Sequence, residues 1–286
     1  MFTYSYVSEI LKARYKYRAF SVGRDMAQTV AEIRARLQEA DYGEFKVLER
    51  SLKADTRKGV QTALEAARKR IAAEQHEKER LFGLYEFEKS FTDGKLAVGL
   101  DEVGRGPLAG PLTVSGVVFP VNAPLIEGLN DSKQVPEHKR DAIAKKVKEC
   151  ALAWSVVHVE PEEIDALGMS AALKMAFTEA VRAVEQQGII PEVILLDGNP
   201  LHFDPREVNI IKGDSKCASI AAASLVAKTT RDAVMIEYDK LYPGYDFKSS
   251  KGYGSKRHRD AIEKKGLCPI HRKSFCRNYL QESLFS

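Results

Sequence analysis

The stretch Gly99–Leu112, GLDEVGRGPLAGPL, decides how the rest of the chain is read. An apolar run, Leu96-Ala97-Val98-Gly99-Leu100, leads directly into two adjacent carboxylates, Asp101 and Glu102. A short apolar run of this kind reads as a buried strand. The glycine-rich turn Gly104-Arg105-Gly106 follows. Two like charges side by side at the end of a buried strand repel each other and lose hydration, so they call for an explanation beyond packing.

Working outward, the pattern alternates between strands and helices from about residue 95. Lys95–Leu100, Leu112–Phe119, Trp154–Val159, Val193–Leu196 and Val208–Ile211 read as strands. Pro161-Glu162-Glu163-Ile164 opens a helix with proline and acids in its first turn. Met169–Gln187 is amphipathic, and Ser215–Leu241 carries a small face, Ala218, Ala221, Ala222 and Ala223, suited to close packing on a sheet. The chain from Lys256 reads as helix again. This alternation predicts an α/β fold.

Residues 1–90 differ in texture and predict a helical N-terminal extension, with 91–286 as the catalytic α/β domain. Val30, Ile33 and Leu37 fall at helical spacing. Residues 55–90 read as one long helix or two, with Val60, Leu64, Ile71 and Leu81 recurring along one side. The arm suits either a partner or nucleic acid, or packing on its own protein. Residues 1–25 are basic and aromatic without periodicity, which predicts an over-extended start and a natural beginning at Met26.

Three expected strands end in carboxylates: Asp101-Glu102, Asp197 and Asp214. In an α/β sheet the strand ends gather at one edge, where the loops form the site. Taken singly, each acid is as well explained by a cap or a turn. Taken together, an all-oxygen set suits Mg²⁺ or Mn²⁺ rather than zinc. Two such ions can clamp the attacking and leaving oxygens of a phosphoryl displacement.

Bulk properties agree with a metal-dependent enzyme acting on a polyanion without demanding one. The 286 residues carry a formal charge of +4 and 44% hydrophobic residues. Residues 248–277 hold ten Lys or Arg against two acids, a tract that suits a polyanion, although a charge run taken alone is more often a solvated surface. The four cysteines form no C-x-x-C pair, which predicts reduced thiols without zinc. Four prolines in Gly106–Ile126 exclude a regular spanning helix there. No membrane association is expected, and cytoplasmic localisation and a monomer are.

The DEVGRGPLAGP string resembles the bacterial ribonuclease HII family, the type 2 ribonucleases H. The resemblance continues in order through LNDSKQ (Leu129–Gln134), LLDG (Leu195–Gly198), IKGDSKCASIAAASLVAKTTRD (Ile211–Asp232), YPGYDFKSSKGYGSKRH (Tyr242–His258) and PIHRKSF (Pro269–Phe275). It covers about residues 90–280. It implies a ribonuclease H-like fold, a mixed central sheet flanked by helices. It implies cleavage of RNA in RNA/DNA hybrids, and cleavage 5′ of a single ribonucleotide in duplex DNA, leaving a 3′-hydroxyl and a 5′-phosphate.

The resemblance assigns metal binding and catalysis to Asp101, Glu102, Asp197 and Asp214, with two Mn²⁺ or Mg²⁺ ions. Asp101 would bridge both, Glu102 and Asp197 would hold the ion on the leaving-group side, and Asp214 the other. Main-chain groups of Gly104, Arg105 and Gly106 would contact the ribose 2′-hydroxyl, and only glycine lets a backbone come so close. Tyr253 would stack on the following deoxyribose. Asn130, Ser132 and Lys133 would contact phosphate. Ser219 and Ser224 suit phosphate contact or helix packing, with packing expected for Ser224. Lys228 and Arg231 suit binding or the surface equally, and Asp232 reads as structural. No histidine base is expected. The related ribonuclease HIII enzymes share fold and chemistry but lack the Gly-Arg-Gly turn, which sets this chain apart from them.

Overall fold

The computed structural model describes residues 28–278; the expected start at Met26 lies outside them. The chain forms two compact units, divided between Glu79 and Arg80.

The first unit contains α1 (Val30–Glu39), α2 (Tyr42–Ser51) and the first part of α3 (Lys58–Thr92). Both short helices begin with a reciprocal capping box, Thr29 with Glu32 and Asp41 with Glu44. Each box satisfies two main-chain donors that a helix start leaves open. The predicted stripe is the core: Ile33, Leu37, Val60, Leu64 and Ile71 bury against Phe45 and Leu48. Arg70 closes the end of α1 by donating to the carbonyls of Leu37 and Ala40. The segment expected as one helix or two is a single helix that begins at Lys58, and residue 90 falls inside it. Helix α2 was not anticipated from the sequence.

The second unit begins in α3 and is built on five strands: β1 (Ala97–Val103), β2 (Leu112–Val118), β3 (Ala153–Val159), β4 (Val193–Asp197) and β5 (Glu207–Ile210). Their order is β3-β2-β1-β4-β5. Strands β1, β2 and β3 pair antiparallel, whereas β4 and β5 run parallel to β1. The helices are α4 (Glu137–Cys150), α5 (Pro161–Leu167), α6 (Met169–Glu185), α7 (Ala218–Leu241), α8 (Phe247–Ser250) and α9 (Lys256–Lys265). The expected mixed sheet with flanking helices is present, and so is the helical C-terminal region.

Alternation along β1 explains the layers, because successive side chains point to opposite faces. Val98 and Leu100 join the core made with α6, around the fully buried Phe177. On the other face lies the small face of α7, with Ala218, Ala221, Ala222 and Ala223 all buried. Gly99 is what lets α7 come so near: a Cβ there would lie 2.3 Å from the main-chain carbon of Ser219. Two boundaries differ from expectation. Strand β1 continues to Val103, so Asp101 and Glu102 sit within its last residues rather than beyond it. Asp214 and Ser215 belong to a separate 3-10 turn, Gly213–Ser215, ahead of α7.

Candidate active site

The sheet places the four acids. Leu100 pairs with Leu196 in the parallel β1–β4 ladder, so the next residues, Asp101 and Asp197, leave the ladder side by side. Asp197 accepts a 2.6 Å hydrogen bond from the Gly213 amide, which fixes the turn carrying Asp214. Asp101 is 7% exposed and Asp214 8%.

Burial dominates their electrostatics. It raises the Asp101 pKa well above the ordinary carboxylate value, and the charges of Glu102 and Asp197 add to it. Burial also raises Glu102, against the opposing charge and hydrogen bond of Arg105. Burial and then the Asp197 and Asp131 charges raise Asp214, against Lys133. Two exposed cations partly neutralise the group: Arg105 lies 3.2 Å from Glu102, and Lys133 lies 3.6 Å from Asp214. Burial alone would lower the Lys133 pKa, but Asp131, Asp214, Asp101 and Asp197 together raise it.

This cluster holds negative charge at a desolvated edge, where a hard cation relieves the repulsion. The oxygen-only donors fit Mg²⁺ or Mn²⁺. The acids sense one another but are not drawn into a tight cage: among the described residues no three ligating side chains are gathered at metal-binding distance.

The LNDSK loop lies against the cluster differently from expectation. Ser132 is buried, and its hydroxyl lies 2.9 Å from that of Ser224 on α7. Ser224 also stands near Asp101, where its hydroxyl restrains the rise in the acid's pKa. The Ser132 hydroxyl is therefore engaged inside the protein rather than offered to phosphate, and Ser224 supports an acid rather than simply packing. Asn130 is half-buried, its Oδ1 accepting from the Asp131 amide and its Nδ2 donating to Gln134. Lys133 is exposed and reaches the acids. Ser219 is buried, and its amide donates to the Glu88 carboxylate from α3.

The second half of the site is a set of turns. Arg105 and Gly106 are exposed, and Tyr253 is 47% exposed. A Cβ on Gly106 would lie 3.9 Å from the Tyr253 ring, so turn and tyrosine share one surface. Gly104 is held at φ +93°, and a Cβ there would lie 2.4 Å from Arg231 Nε.

Two fully buried arginines hold these turns together. Arg272 donates to the carbonyls of Gly104, Arg105 and Gly110. Arg231 donates to those of Pro111, Ala109 and Lys251. Burial, and then the neighbouring Arg231 charge, pull the Arg272 pKa down to about 10. Neither arginine is available to a polyanion, contrary to the even reading of Arg231 and the basic-tract reading of Arg272. Their main-chain targets leave no trace in the sequence.

A mixed sheet with carboxylates on adjacent strand ends, beside a turn and an exposed ring, defines a ribonuclease H-type nuclease fold. A ribonuclease HII sequence profile matches residues 98–278, and one for the ribonuclease HII N-terminal domain matches residues 29–92. The ribonuclease HII of Listeria monocytogenes serotype 4b (strain F2365) is 40% identical over 252 residues, covering 87% of this chain and 95% of that protein. Ribonuclease H2 of Pyrococcus horikoshii OT3 superposes with a TM-score of 0.59 at 25% identity, over 67% of this chain and all of that one. Bst ribonuclease HIII, solved in complex with Mn²⁺, gives 0.52 at 21% identity, over 66% and 70%, a likeness of fold alone. The chain belongs to the ribonuclease HII family. It is a ribonuclease H endonuclease.

Proposed function

We propose that this enzyme cuts the RNA strand of RNA/DNA hybrids and cuts 5′ of a single ribonucleotide embedded in duplex DNA, leaving a 3′-hydroxyl and a 5′-phosphate. The observation that carries the single-ribonucleotide reading is the approach of Gly106 to Tyr253 beside the acid cluster. An exposed turn and an exposed ring a few ångströms apart suit a site that examines two successive sugars. Main-chain groups of Gly104–Gly106 would take the 2′-hydroxyl, the feature that separates RNA from DNA. The Tyr253 ring would stack on the next sugar.

Asp101, Glu102, Asp197 and Asp214 would hold two divalent cations, Mn²⁺ or Mg²⁺. Bound there, the ions supply positive charge to the reacting phosphate and activate water. The protein's own part is to position. Ser224 orients Asp101, the Gly213 amide orients Asp197, and Lys133 and Arg105 stand at the rim with charge to offer a phosphate. Asn130 would contact phosphate from the same rim. The protein would act in the cytoplasm in removing ribonucleotides from DNA.

The test is a duplex with one ribonucleotide, compared with a long hybrid and with all-DNA duplex, each with and without Mn²⁺ or Mg²⁺. The expected result is a metal-dependent nick 5′ of the ribonucleotide and none in all-DNA duplex. Tyr253→Ala should lower kcat/KM on the single ribonucleotide about tenfold, the scale of one lost stacking contact, and change the long hybrid much less. Equal loss on both would remove Tyr253 from junction reading.

A further inference from the structure

The buried histidines His258 and His271 have no part in the chemistry above, yet they face each other across 3.1 Å, Nε2 to Nε2. They are 0% and 2% exposed. Tyr245 and Phe247 wall them in, with ring centroids 5.1 Å apart for Phe247–His258 and for Tyr245–His271. Two imidazoles can hydrogen-bond each other only if one donates and the other accepts.

The Tyr253 end of the chain of bonds sets the direction. His258 Nδ1 lies 2.9 Å from the Tyr253 carbonyl, which can only accept, so Nδ1 carries the proton. In a neutral ring, His258 Nε2 is then an acceptor, and His271 Nε2 must donate to it. That leaves His271 Nδ1 with a lone pair, and the Cys268 amide donates to it at 2.9 Å. The Cys268 carbonyl and thiol also lie near this Nδ1, at 3.2 Å and 3.1 Å, but the carbonyl already accepts from the His271 amide at 3.0 Å, which leaves the closer Cys268 amide as the partner of Nδ1. Burial, the leading cause, lowers the pKa of each, that of His271 to about 4.

The chain of bonds therefore runs from the Cys268 amide through His271 and His258 to the Tyr253 carbonyl. That carbonyl also accepts from the Ser255 amide at 2.7 Å. On the other side of Tyr253, the Gly252 carbonyl accepts from the amides of Leu108 and Ala109. The main chain fixes the Cα–Cβ direction from which the half-exposed ring projects, and with it the rotamers open to the ring. Of the groups holding that main chain, the histidine pair joins it to the distant segment 268–271.

We propose that His258 and His271 are positioning residues for substrate discrimination: through a directed imidazole–imidazole hydrogen bond they set the Tyr253 main chain, and with it the angle at which the ring meets the nucleotide after the ribose. The proposal rests on the reading of Tyr253 given above. It assigns the pair no contact with substrate and no proton transfer.

The contrast between His258→Asn and His258→Gln tests it in the full-length protein. Asparagine places an amide where Nδ1 stands, within reach of the Tyr253 carbonyl; glutamine places one near Nε2. The readout is the ratio of kcat/KM on a single-ribonucleotide duplex to kcat/KM on a long hybrid, so that general loss of folded enzyme cancels. The expected result is a ratio lowered about tenfold in His258→Gln, the scale of one buried hydrogen bond, and lowered by less in His258→Asn, which keeps the bond to Tyr253 and loses only the one to His271. In a Tyr253→Ala background neither change should move the ratio further.

Equal ratios for the two variants would overturn the proposal, as would a further fall in the Tyr253→Ala background. Should either fold poorly, His271→Asn, whose amide stands near Nδ1 and leaves His258 Nε2 without its donor, reports on the same chain of bonds and should lower the ratio about as far as His258→Asn does. The two levels of the argument fail differently. If Tyr253→Ala alone spares the ratio, the stacking reading fails; if Tyr253→Ala lowers it and His258→Gln does not, only the histidine proposal fails.

Discussion

The acid cluster and the turn that stands beside it are built on opposite principles. The cluster gathers carboxylates where burial and mutual repulsion raise their pKa values, with two exposed side chains, Arg105 and Lys133, as partial relief. The turns at 104–111 and 251–254 are tied through their own carbonyls by Arg231, Arg272 and the histidine pair, all buried. One region keeps repelling carboxylates, as the proposed cation site would require. The other is satisfied so that it can hold a shape. The proposed site, which would bind metal and judge a single hydroxyl, would need both, and the two regions meet between Glu102 and Gly104.

The largest expected effect breaks the first half of that comparison. Asp101→Asn should abolish cleavage, by about a thousandfold or more, if the carboxylate is needed for the ions. It should leave the metal-free protein as stable as before or more so, because a desolvated, repelled charge has gone. Steady-state cleavage and a thermal melt check the two parts. Residual turnover near wild type would remove Asp101 from the chemistry, and a large fall in Tm would mean the acid holds the fold.

The second half breaks in the opposite way. Arg272→Met should cost about 3–5 kcal/mol of stability, because three carbonyls, two of them buried, lose their donors at once. Denaturant unfolding measures it. A small loss would mean that the turns hold themselves.

A pH effect of similar origin follows from His271. Its pKa stands near 4 in the folded chain against an ordinary 6.5. The unfolded imidazole takes up a proton first, so the contribution is fully present above about pH 6.5 and is lost as pH falls toward 4. The shift corresponds to roughly 3 kcal/mol. The fall in Tm between pH 7 and pH 4 should be shallower in His271→Gln, and an unchanged slope would point to other groups.

What the sequence could tell divides along the same line. The four acids were legible because a charge at the end of an apolar strand breaks the pattern of a buried segment, and three such breaks invite one explanation. The strands and most helices were legible by periodicity. Helix α4 was not, because Ile143, Ala144 and Val147 are its only buried residues amid lysines. Arg231 and Arg272 were illegible for a deeper reason. Their partners are main-chain carbonyls, which every residue possesses, so no residue type announces the pairing. The Ser132–Ser224–Asp101 contact was hidden likewise, since its members lie far apart in the chain.

The smallest effect sharpens the boundary between the two regions, in the turn itself. If the 2′-hydroxyl is read by main chain, glycine substitutions in the turn should outweigh loss of the arginine side chain. Gly104 is a poor probe of this. Its φ of +93° and its closeness to Arg231 mean that Gly104→Ala disturbs the fold before it reports on substrate. Gly106 is a clean one, having an ordinary φ and room for a methyl group beside Tyr253. Gly106→Ala should leave Tm within about a degree or two, as surface changes usually do, and still lower kcat/KM on a single ribonucleotide several-fold. Arg105→Ala removes a half-exposed partner of Glu102, a contact of the surface kind worth at most about 1 kcal/mol. It should lower cleavage of single ribonucleotides and long hybrids alike, and by less than Gly106→Ala lowers the former. If Arg105→Ala instead proves the more damaging on single ribonucleotides, its guanidinium is part of the reading, and the division between a side-chain cutting region and a main-chain reading region must move to include it.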